Sequence, residues 1–388
     1  MSDPLIIVPQ ITSPWKPLSL VIAMGTFATL VIIGMALGLG LVAVCLNVFG
    51  QSTTLSTGVG PISITSGYFN NDTRLDLAVA NNVSNNIGVF LGNGDGTFQN
   101  QVTYLAGKLP FQIITSDLNS DNITDLVTVD FGDNLVNVLL GIGNGSFKNG
   151  TTYNIGSAST SVASGDFNND NRQDLAVTLT SGNVSILLGN GDGSFQNQIL
   201  YPTGTGPLSA ISDNFNNDSN LDLAFVNFGN NNLAVLFGNG RGSFSFQTTY
   251  STDSGPDSVV SSDFNNDGKI DLAVMSFTNN TVIVLLGEGN GNFQRKVTYS
   301  TGQGPFQIKA GDLNNDGNID LAVSNALSNN IGVFLGNGDG TFRNQQTYTI
   351  GSGPSGLVLG DFNTDGKLDL AVNSYDANST TIFLNLCP

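Results

Sequence analysis

Short apolar runs alternate with turns rich in Gly, Asn and Asp from about residue 49 to the end of the chain. In one stretch, apolar runs within residues 305–308, 321–323, 331–335 and 342–348 are each long enough for one β-strand. No long amphipathic helical pattern interrupts this region. Four short strands that recur in the same order predict repeated antiparallel blades.

The repeat has a nearly fixed period. A short acidic loop follows the first strand of every copy, and successive loops lie 49 residues apart, or 48 in one case. Their last residues are Asp76, Asp125, Asp174, Asp222, Asp271, Asp320 and Asp369. Such a period is typical of repeat architectures. Seven four-stranded blades predict an all-β, seven-bladed β-propeller over residues 49–388, large enough to bury a substantial core.

The acidic loop has the composition of a calcium site. The last copy reads Asp-Phe-Asn-Thr-Asp-Gly-Lys-Leu-Asp over residues 361–369, so side-chain oxygens fall at loop positions 1, 3, 5 and 9. Calcium prefers six to eight oxygen ligands, and the position-7 carbonyl would add another. A metal-free Asx turn is the alternative. Seven copies in register favour calcium, with up to seven structural ions.

The candidate ligands share these loop positions in all seven copies. They are Asn70, Asp72, Asp76, Asp117, Asn119, Asp121, Asp125, Asp166, Asn168, Asp170, Asp174, Asn214, Asn216, Asp218, Asp222, Asp263, Asn265, Asp267, Lys269, Asp271, Asp312, Asn314, Asp316, Asn318, Asp320, Asp361, Asn363, Asp365, Lys367 and Asp369, with the two Lys residues acting through their carbonyls.

The copies are not equal. Asn122 and Asn171 replace the Gly at position 6, and Asn tolerates a positive φ there. The first loop has Tyr68 at position 1 and Thr at position 6, and the fourth has Asn214 and Ser there. We expect the first and fourth loops to bind calcium weakly or not at all.

Composition agrees with cation binding. The chain carries 30 Asp and Glu against 12 Lys and Arg, a formal net charge of -18, and most of the acids lie in the loops. Bound divalent ions would offset much of this charge, and a nucleic-acid partner is not expected. The chain has no His and no paired carboxylates outside the loops, so we expect no enzymatic activity.

Two recurring segments resemble a known repeat. They are Phe-Leu-Gly-Asn-Gly-Asp-Gly-Thr-Phe, at residues 90–98 and 334–342, and Gly-Asp-Phe-Asn-x-Asp-Gly-x-x-Asp-Leu-Ala-Val. Both resemble FG-GAP/VCBS repeats, a family that includes the propeller of integrin α subunits. The resemblance covers about residues 49–388. It implies the propeller fold and calcium loops but leaves the function open, because such repeats serve adhesion, carbohydrate binding and a few enzymes.

Register predicts how the ring closes. The seventh copy ends where its third strand gives way to a turn, so its fourth strand is missing. One period before residues 98–104 lies the segment 49–55, which reads Phe-Gly-Gln-Ser-Thr-Thr-Leu. We expect it to supply the missing strand of blade 7 and so to remove an open sheet edge.

An uncharged, apolar stretch from about residue 18 to residue 48 precedes the repeats. Its length suits a transmembrane signal-anchor helix, whereas the apolar core of a cleaved signal peptide is shorter. Lys16 favours a cytoplasmic tail at residues 1–17 and an extracellular propeller. Secretion after signal cleavage is the alternative. Within the anchor, Gly34 and Gly38 suggest a weak homodimer contact.

Two further features bear on an extracellular location. Nine Asn-x-Ser/Thr sequons could carry glycans: Asn71, Asn82, Asn122, Asn144, Asn149, Asn183, Asn217, Asn279 and Asn378. Cys45 and Cys387 are separated by seven repeats, so ring closure would bring them close enough for a disulfide to be conceivable. The alternative is a membrane-buried thiol and a free terminal one.

The favoured function is an adhesion or receptor-type ectodomain that binds another protein. By the resemblance, its contact surface would be the loops between second and third strands, opposite the calcium loops. These loops carry the aromatic residues Phe131, Phe228, Phe277 and Tyr375, which could form a contact patch or pack against neighbouring loops. A lectin-like propeller that binds glycans is the alternative, and an enzyme on a propeller scaffold is a weaker one.

Overall fold

The computed structural model describes residues 7–9, 41–43, 45 and 48–387. Seven four-stranded antiparallel sheets form the blades of a β-propeller. The first strands of consecutive blades contact one another in a closed ring that includes the contact between blade 7 and blade 1. The predicted all-β, seven-bladed propeller is therefore confirmed.

The strands are given blade by blade, from the first to the fourth. They are Pro61–Gly67, Asp76–Asn81, Asn86–Phe90 and Val102–Leu105 in blade 1; Pro110–Ser116, Asp125–Asp130, Leu135–Gly141 and Phe147–Asn154 in blade 2; Ser159–Gly165, Asp174–Leu179, Asn183–Leu187 and Ile199–Pro202 in blade 3; Pro207–Asp213, Asp222–Asn227, Asn232–Gly238 and Phe244–Ser251 in blade 4; Pro256–Ser262, Asp271–Ser276, Thr281–Gly287 and Phe293–Ser300 in blade 5; Pro305–Gly311, Asp320–Asn325, Asn330–Phe334 and Gln346–Thr349 in blade 6; and Pro354–Gly360, Asp369–Ser374, Ser379–Asn385 and Phe49–Ser56 in blade 7.

The second strand of each blade is the core of the molecule. Every residue of these seven strands is buried, because both sheet faces pack against neighbouring blades. Their sequences begin with Asp and continue with an apolar run such as Leu-Ala-Val. A strand buried on both faces needs a continuous apolar run rather than an alternating one.

Blade 7 combines the two ends of the propeller. Phe49–Ser56 pairs antiparallel with Ser379–Asn385 and supplies the fourth strand, at the place that register predicts. Cys45 and Cys387 form a disulfide with a Cα–Cα distance of 5.4 Å, and both are buried. The ring is therefore closed by a shared sheet and by one covalent bond.

The segment before the propeller differs from the predicted helix at its outer end. Leu41–Ala43 is a β-strand that pairs with Ile7–Pro9. Cys45 and Val48 are buried in the propeller core. The rest of the predicted span, including Gly34 and Gly38, lies outside the described residues. Among the residues that are described, no helix is long and apolar enough to cross a membrane.

Candidate functional site

Each acidic loop connects the first and second strands of its blade, and its ninth residue anchors it. In blade 5, Asp271 Oδ2 accepts a hydrogen bond from Phe264 N (2.9 Å), and its Oδ1 accepts one from Gly287 N (2.7 Å). The other six loops repeat both bonds. One carboxylate therefore joins the loop to the end of the third strand.

The ninth-position carboxylates are fully buried. Burial raises the pKa of Asp125, Asp174, Asp222, Asp271 and Asp369 to about 6, against the opposing effect of their two backbone hydrogen bonds. In four of these loops, the carboxylates at positions 1 and 5 raise the pKa of the ninth-position carboxyl further. In the loop of blade 4, only the position-5 carboxylate does so. Clustered negative charge of this kind favours a cation.

Burial likewise raises the pKa of Asp320 to about 7, and it raises the pKa of Asp76.

The first, third and fifth side chains fold over the loop backbone. In the seventh loop, Asp361 Oδ1 accepts from Asp365 N (3.0 Å) and its Oδ2 accepts from Gly366 N (2.8 Å). Asn363 Oδ1 also accepts from Asp365 N (3.1 Å), while Asp365 Oδ1 accepts from Lys367 N (3.0 Å). These Asx-type bonds gather the oxygens that the sequence singles out on one short loop.

The first and fourth loops depart from this geometry. In the other five loops, the position-6 amide donates to the position-1 carboxylate. In the fourth loop, Asn214 stands at position 1, and its Oδ1 accepts a hydrogen bond only from Asp218 N (3.2 Å). In the first loop, the guanidinium of Arg74 pairs with Asp72 and lowers the pKa of that carboxyl. A basic side chain thus already neutralises the first loop.

The donor set suits a hard cation only if uncharged oxygens take part. Within residues 48–387, no three Asp, Glu or Cys side chains converge as a metal group. A bound ion would therefore need the position-3 Asn oxygen and backbone carbonyls beside the carboxylates, which is the mixture that calcium takes. On this chemistry the residues of the loops fit calcium.

Basic residues at position 7 have a second role that the sequence analysis missed. Lys269 Nζ lies 3.5 Å from Asp267, and Arg172 lies 3.9 Å from Asp170. Both pairs join the residues at positions 7 and 5 of one loop. A basic residue two positions after an Asp was therefore the signal in the sequence from which these ion pairs could have been predicted. Exposed pairs of this kind contribute little to stability, but they compete with an ion for the position-5 carboxylate.

Each acidic loop is also held by the next blade. The turn between the third and fourth strands donates an amide to the position-2 carbonyl of the preceding loop, as Gly291 N does to Phe215 O (2.9 Å). The same bond recurs between five further pairs of blades, including Gly96 N to Phe362 O. Between blades 6 and 7, Asn385 Nδ2 takes this place and donates to Leu313 O (2.7 Å). The loops therefore tie the ring together on one face.

Family comparison agrees with this repeated geometry. The model of the FG-GAP-like repeat matches six overlapping segments, residues 68–128, 117–177, 166–225, 214–274, 263–323 and 312–372. The chain belongs to the FG-GAP-like repeat family. Each matched segment begins at one acidic loop of the FG-GAP-like propeller and ends within or just after the second strand of the next blade.

Solved propellers resemble this FG-GAP-like chain in fold. The crystal structure of BBS1N in complex with ARL6DN, soaked with mercury, has a TM-score of 0.63 at 11% identity, with 87% of this chain and 96% of that chain covered. A protein from Lactobacillus plantarum has a TM-score of 0.61 at 16% identity, covering 82% and 91%. A functionally unknown protein from Desulfotomaculum acetoxidans DSM 771 has a TM-score of 0.57 at 14% identity, covering 76% and 91%. No functionally curated protein matches the chain in sequence.

The opposite face of the FG-GAP-like propeller carries the predicted aromatic rim. Phe131, Phe228 and Phe277 are 40%, 40% and 37% exposed. Tyr375 is less accessible, because it packs against a cluster of buried residues that includes Ile62. Three of the four rim residues therefore remain available for contact.

Proposed function

We propose that the protein is a membrane-anchored, extracellular, calcium-binding propeller that acts as an adhesion or receptor-type interaction module and not as an enzyme. The observation that carries the proposal is the acidic loop, which recurs with the same hydrogen bonds on one face while exposed aromatics lie on the other. Calcium is structural in this proposal. It neutralises the clustered carboxylates and stabilises the first hairpin of each blade.

The disulfide supports the extracellular location. Structural disulfides form and persist mainly in oxidising compartments such as the cell exterior. Both cysteines are buried at the closure of the ring, where the bond has a structural role. Calcium loops of moderate affinity suit the same fluid, since calcium is abundant there. The uncharged stretch over residues 18–40 would hold the propeller at the membrane.

The aromatic rim supports a macromolecular partner. Exposed Phe side chains on a rigid scaffold often carry the binding energy of an interface. A protein of similar fold, BBS1N, has been crystallised in complex with ARL6DN, which supports the proposal of a protein partner. The partner of this chain would be a protein outside the cell, and a glycan is the other outcome that a binding test would reveal.

Calcium binding is tested by thermal unfolding of the full-length chain with calcium and with excess chelator, together with metal content by mass spectrometry. We expect a large fall in Tm on chelation, and about four to six calcium ions per chain, because Arg74 already neutralises the first loop. The matched variants are Asp267→Asn and Asp72→Asn, which change the same position in the fifth and first loops. Asp267→Asn should remove one ion and Asp72→Asn none. No bound metal and no Tm shift would refute the calcium proposal.

The interaction role is tested on the rim. A variant with Phe131, Phe228 and Phe277 replaced by Ser should lose binding to cells or to an immobilised partner while its Tm stays near that of the native protein. Phe246→Ser is the control, because Phe246 is 58% exposed on the outer strand of blade 4. Equal loss in both variants, or binding only to a glycan array, would contradict a protein-binding rim.

A further inference from the structure

The central channel contains a cavity that the acidic loops do not explain. Residues near the start of the first strands of blades 1 to 6 line it, on the side of the aromatic rim. The cavity has a volume of about 60 Å³, and it is open to solvent. Most of its lining is Ser, Thr and Gln, including Thr160, Ser161, Ser209 and Ser258. The cavity therefore offers both hydrogen-bonding groups and apolar surface.

Asp257 is the one charged residue in this lining. It follows the Pro that opens the first strand of blade 5, so it occupies the register of Phe111, Thr160, Leu208 and Phe306 in other blades. All of those residues are uncharged. These blades form the ring with an uncharged residue at this register, so the fold of the repeat does not require a carboxylate there.

The Asp257 carboxylate has no counter-charge in the described part of the chain. No ion pair and no hydrogen bond there involves it, and burial alone raises its pKa to about 7. Lys309 also lies on a first strand, in blade 6, but it is not part of the cavity lining and forms no ion pair with Asp257. Asp257 is partly exposed in the channel, and a carboxylate that has no counter-charge in the described part of the chain would be stabilised there by a cationic ligand.

Aromatic rings complete the chemistry of the cavity. Phe111 and Phe306 both line it, and both pack against the same cluster beside Ile62. The faces of aromatic rings attract cations, more strongly when water is excluded. A carboxylate, several hydroxyl groups and two rings around a small space are the elements that recognise an alkylammonium group.

We propose that the axial cavity binds a small organic cation through its ammonium group, with Asp257 as the counter-ion, Phe111 and Phe306 against its alkyl part, and the hydroxyls of Ser209 and Ser258 as hydrogen-bond acceptors. The site is independent of the acidic loops, which lie at the opposite ends of the same strands. It would make the channel a ligand site in its own right, separate from any partner of the rim.

The test is calorimetric titration of the full-length chain with propylammonium chloride, with 1-propanol as the uncharged isostere and potassium chloride at the same ionic strength. We expect saturable binding of propylammonium, a rise in Tm at saturation, and no binding of the alcohol or of potassium. Equal binding of 1-propanol would show that the charge is not recognised. Saturation by potassium would assign the site to an inorganic ion. Either result would overturn the proposal.

Asp257→Thr is the decisive variant, because it installs the residue that blade 3 has at this register, Thr160. We expect propylammonium binding to weaken by at least about tenfold, as for loss of a charge-assisted bond, while the Tm of the unliganded protein stays equal or rises. A lower unliganded Tm would show that the carboxylate is structural and would overturn the proposal. Asp213→Asn is the control and should bind as the native protein does, since Asp213 bonds Ser261 outside the cavity.

Discussion

The ninth-position carboxylate of each loop accepts hydrogen bonds from two backbone amides. In blade 5 the two oxygens of Asp271 accept from amides on either side of it in sequence, at Phe264 and Gly287. A neutral side chain with only one acceptor oxygen cannot satisfy both amides. The sequence predicted this residue as a metal ligand, and its role as a hydrogen-bond acceptor is visible only in the structure.

Asp271→Asn should therefore destabilise the protein even without calcium. Its NH2 group would face a buried backbone N–H, and a lost charged hydrogen bond with an unsatisfied partner costs roughly 2–3 kcal/mol. Urea denaturation in chelator measures this loss. Asp95→Asn is the control, since Asp95 is an exposed carboxylate in the turn after the third strand of blade 1. An equal effect in both variants would contradict the proposed role.

Asp130 is a buried carboxyl group outside the acidic loops, and its burial also disfavours the charged form. It is fully buried at the end of the second strand of blade 2, where it accepts from Gly107 N (3.1 Å) and from the Asn137 side chain. Burial raises its pKa to about 6 from 3.8. Asn stands at this register in three other blades, at Asn81, Asn227 and Asn325. A carboxylate is thus not needed there.

This predicts the sign of a pH effect. Because the folded-state pKa is the higher one, the native protein holds the proton more tightly, and Asp130 destabilises the fold increasingly as pH rises from about 4 to about 6. Asp130→Asn should raise the free energy of unfolding at pH 7 by on the order of 1–3 kcal/mol and have little effect at pH 4. Unfolding curves at the two pH values test this. A gain of equal size at both would show that ionisation is not the cause.

At the scale of elements, the strands and their order were largely predictable, because a period of 49 residues repeats the same turns. The closing strand followed from that register alone. The outer end of the apolar stretch was not predictable, since residues 41–48 have a composition that suits a membrane or a protein core equally. Leu41–Ala43 is a strand, and Cys45 and Val48 pack inside the propeller. The hydrophobicity of this segment indicates that it is buried, but it does not distinguish a membrane from a protein core.

Two glycines around the fifth acidic loop should respond differently to substitution. Gly268 has a φ of 77° and no atom within 4 Å of an added Cβ, while other loops place Asn122 and Asn171 at this position. Gly268→Asn should cost only a few tenths of a kcal/mol, as Asn tolerates this conformation.

An added Cβ at Gly287 would lie 2.1 Å from Ile270 O. Gly287→Ala should cost about 1–3 kcal/mol or more through that clash. Comparing the two Tm values against the native one tests both, and similar losses would be the contrary result.

At the scale of the whole molecule, the ring depends on what joins its two ends. Within residues 48–387, blade 7 is the one sheet built from two distant segments, and its third and fourth strands pair from Phe49 to Ser56. No turn connects these two strands. Asn385 replaces the usual turn amide toward blade 6, and Cys387 N donates to its Oδ1 (2.8 Å). The sequence predicted that the two segments pair, but it did not predict that the Asn385 side chain replaces the turn amide.

Removing the disulfide should weaken the ring. Cys387→Ser leaves the strand pairing in place but releases the constraint between residues 45 and 387, and loss of a native disulfide typically costs about 2–5 kcal/mol. Thermal unfolding of the native protein with and without reductant, beside the variant, measures the effect. The reductant should lower the Tm of the native protein and leave that of Cys387→Ser unchanged. A reductant-sensitive variant would mean that another bond is responsible.

The same bond decides how the propeller responds to a pulling force. A tension applied between the segment before Cys45 and the end of the chain passes through one sulfur–sulfur linkage, and the 342 residues between the two cysteines are bypassed. The blades would then keep their shape under a load that would otherwise peel Phe49–Ser56 away from its neighbour strand. In reducing conditions the same load would act directly on that strand, and blade 7 would be the first part of the ring to open.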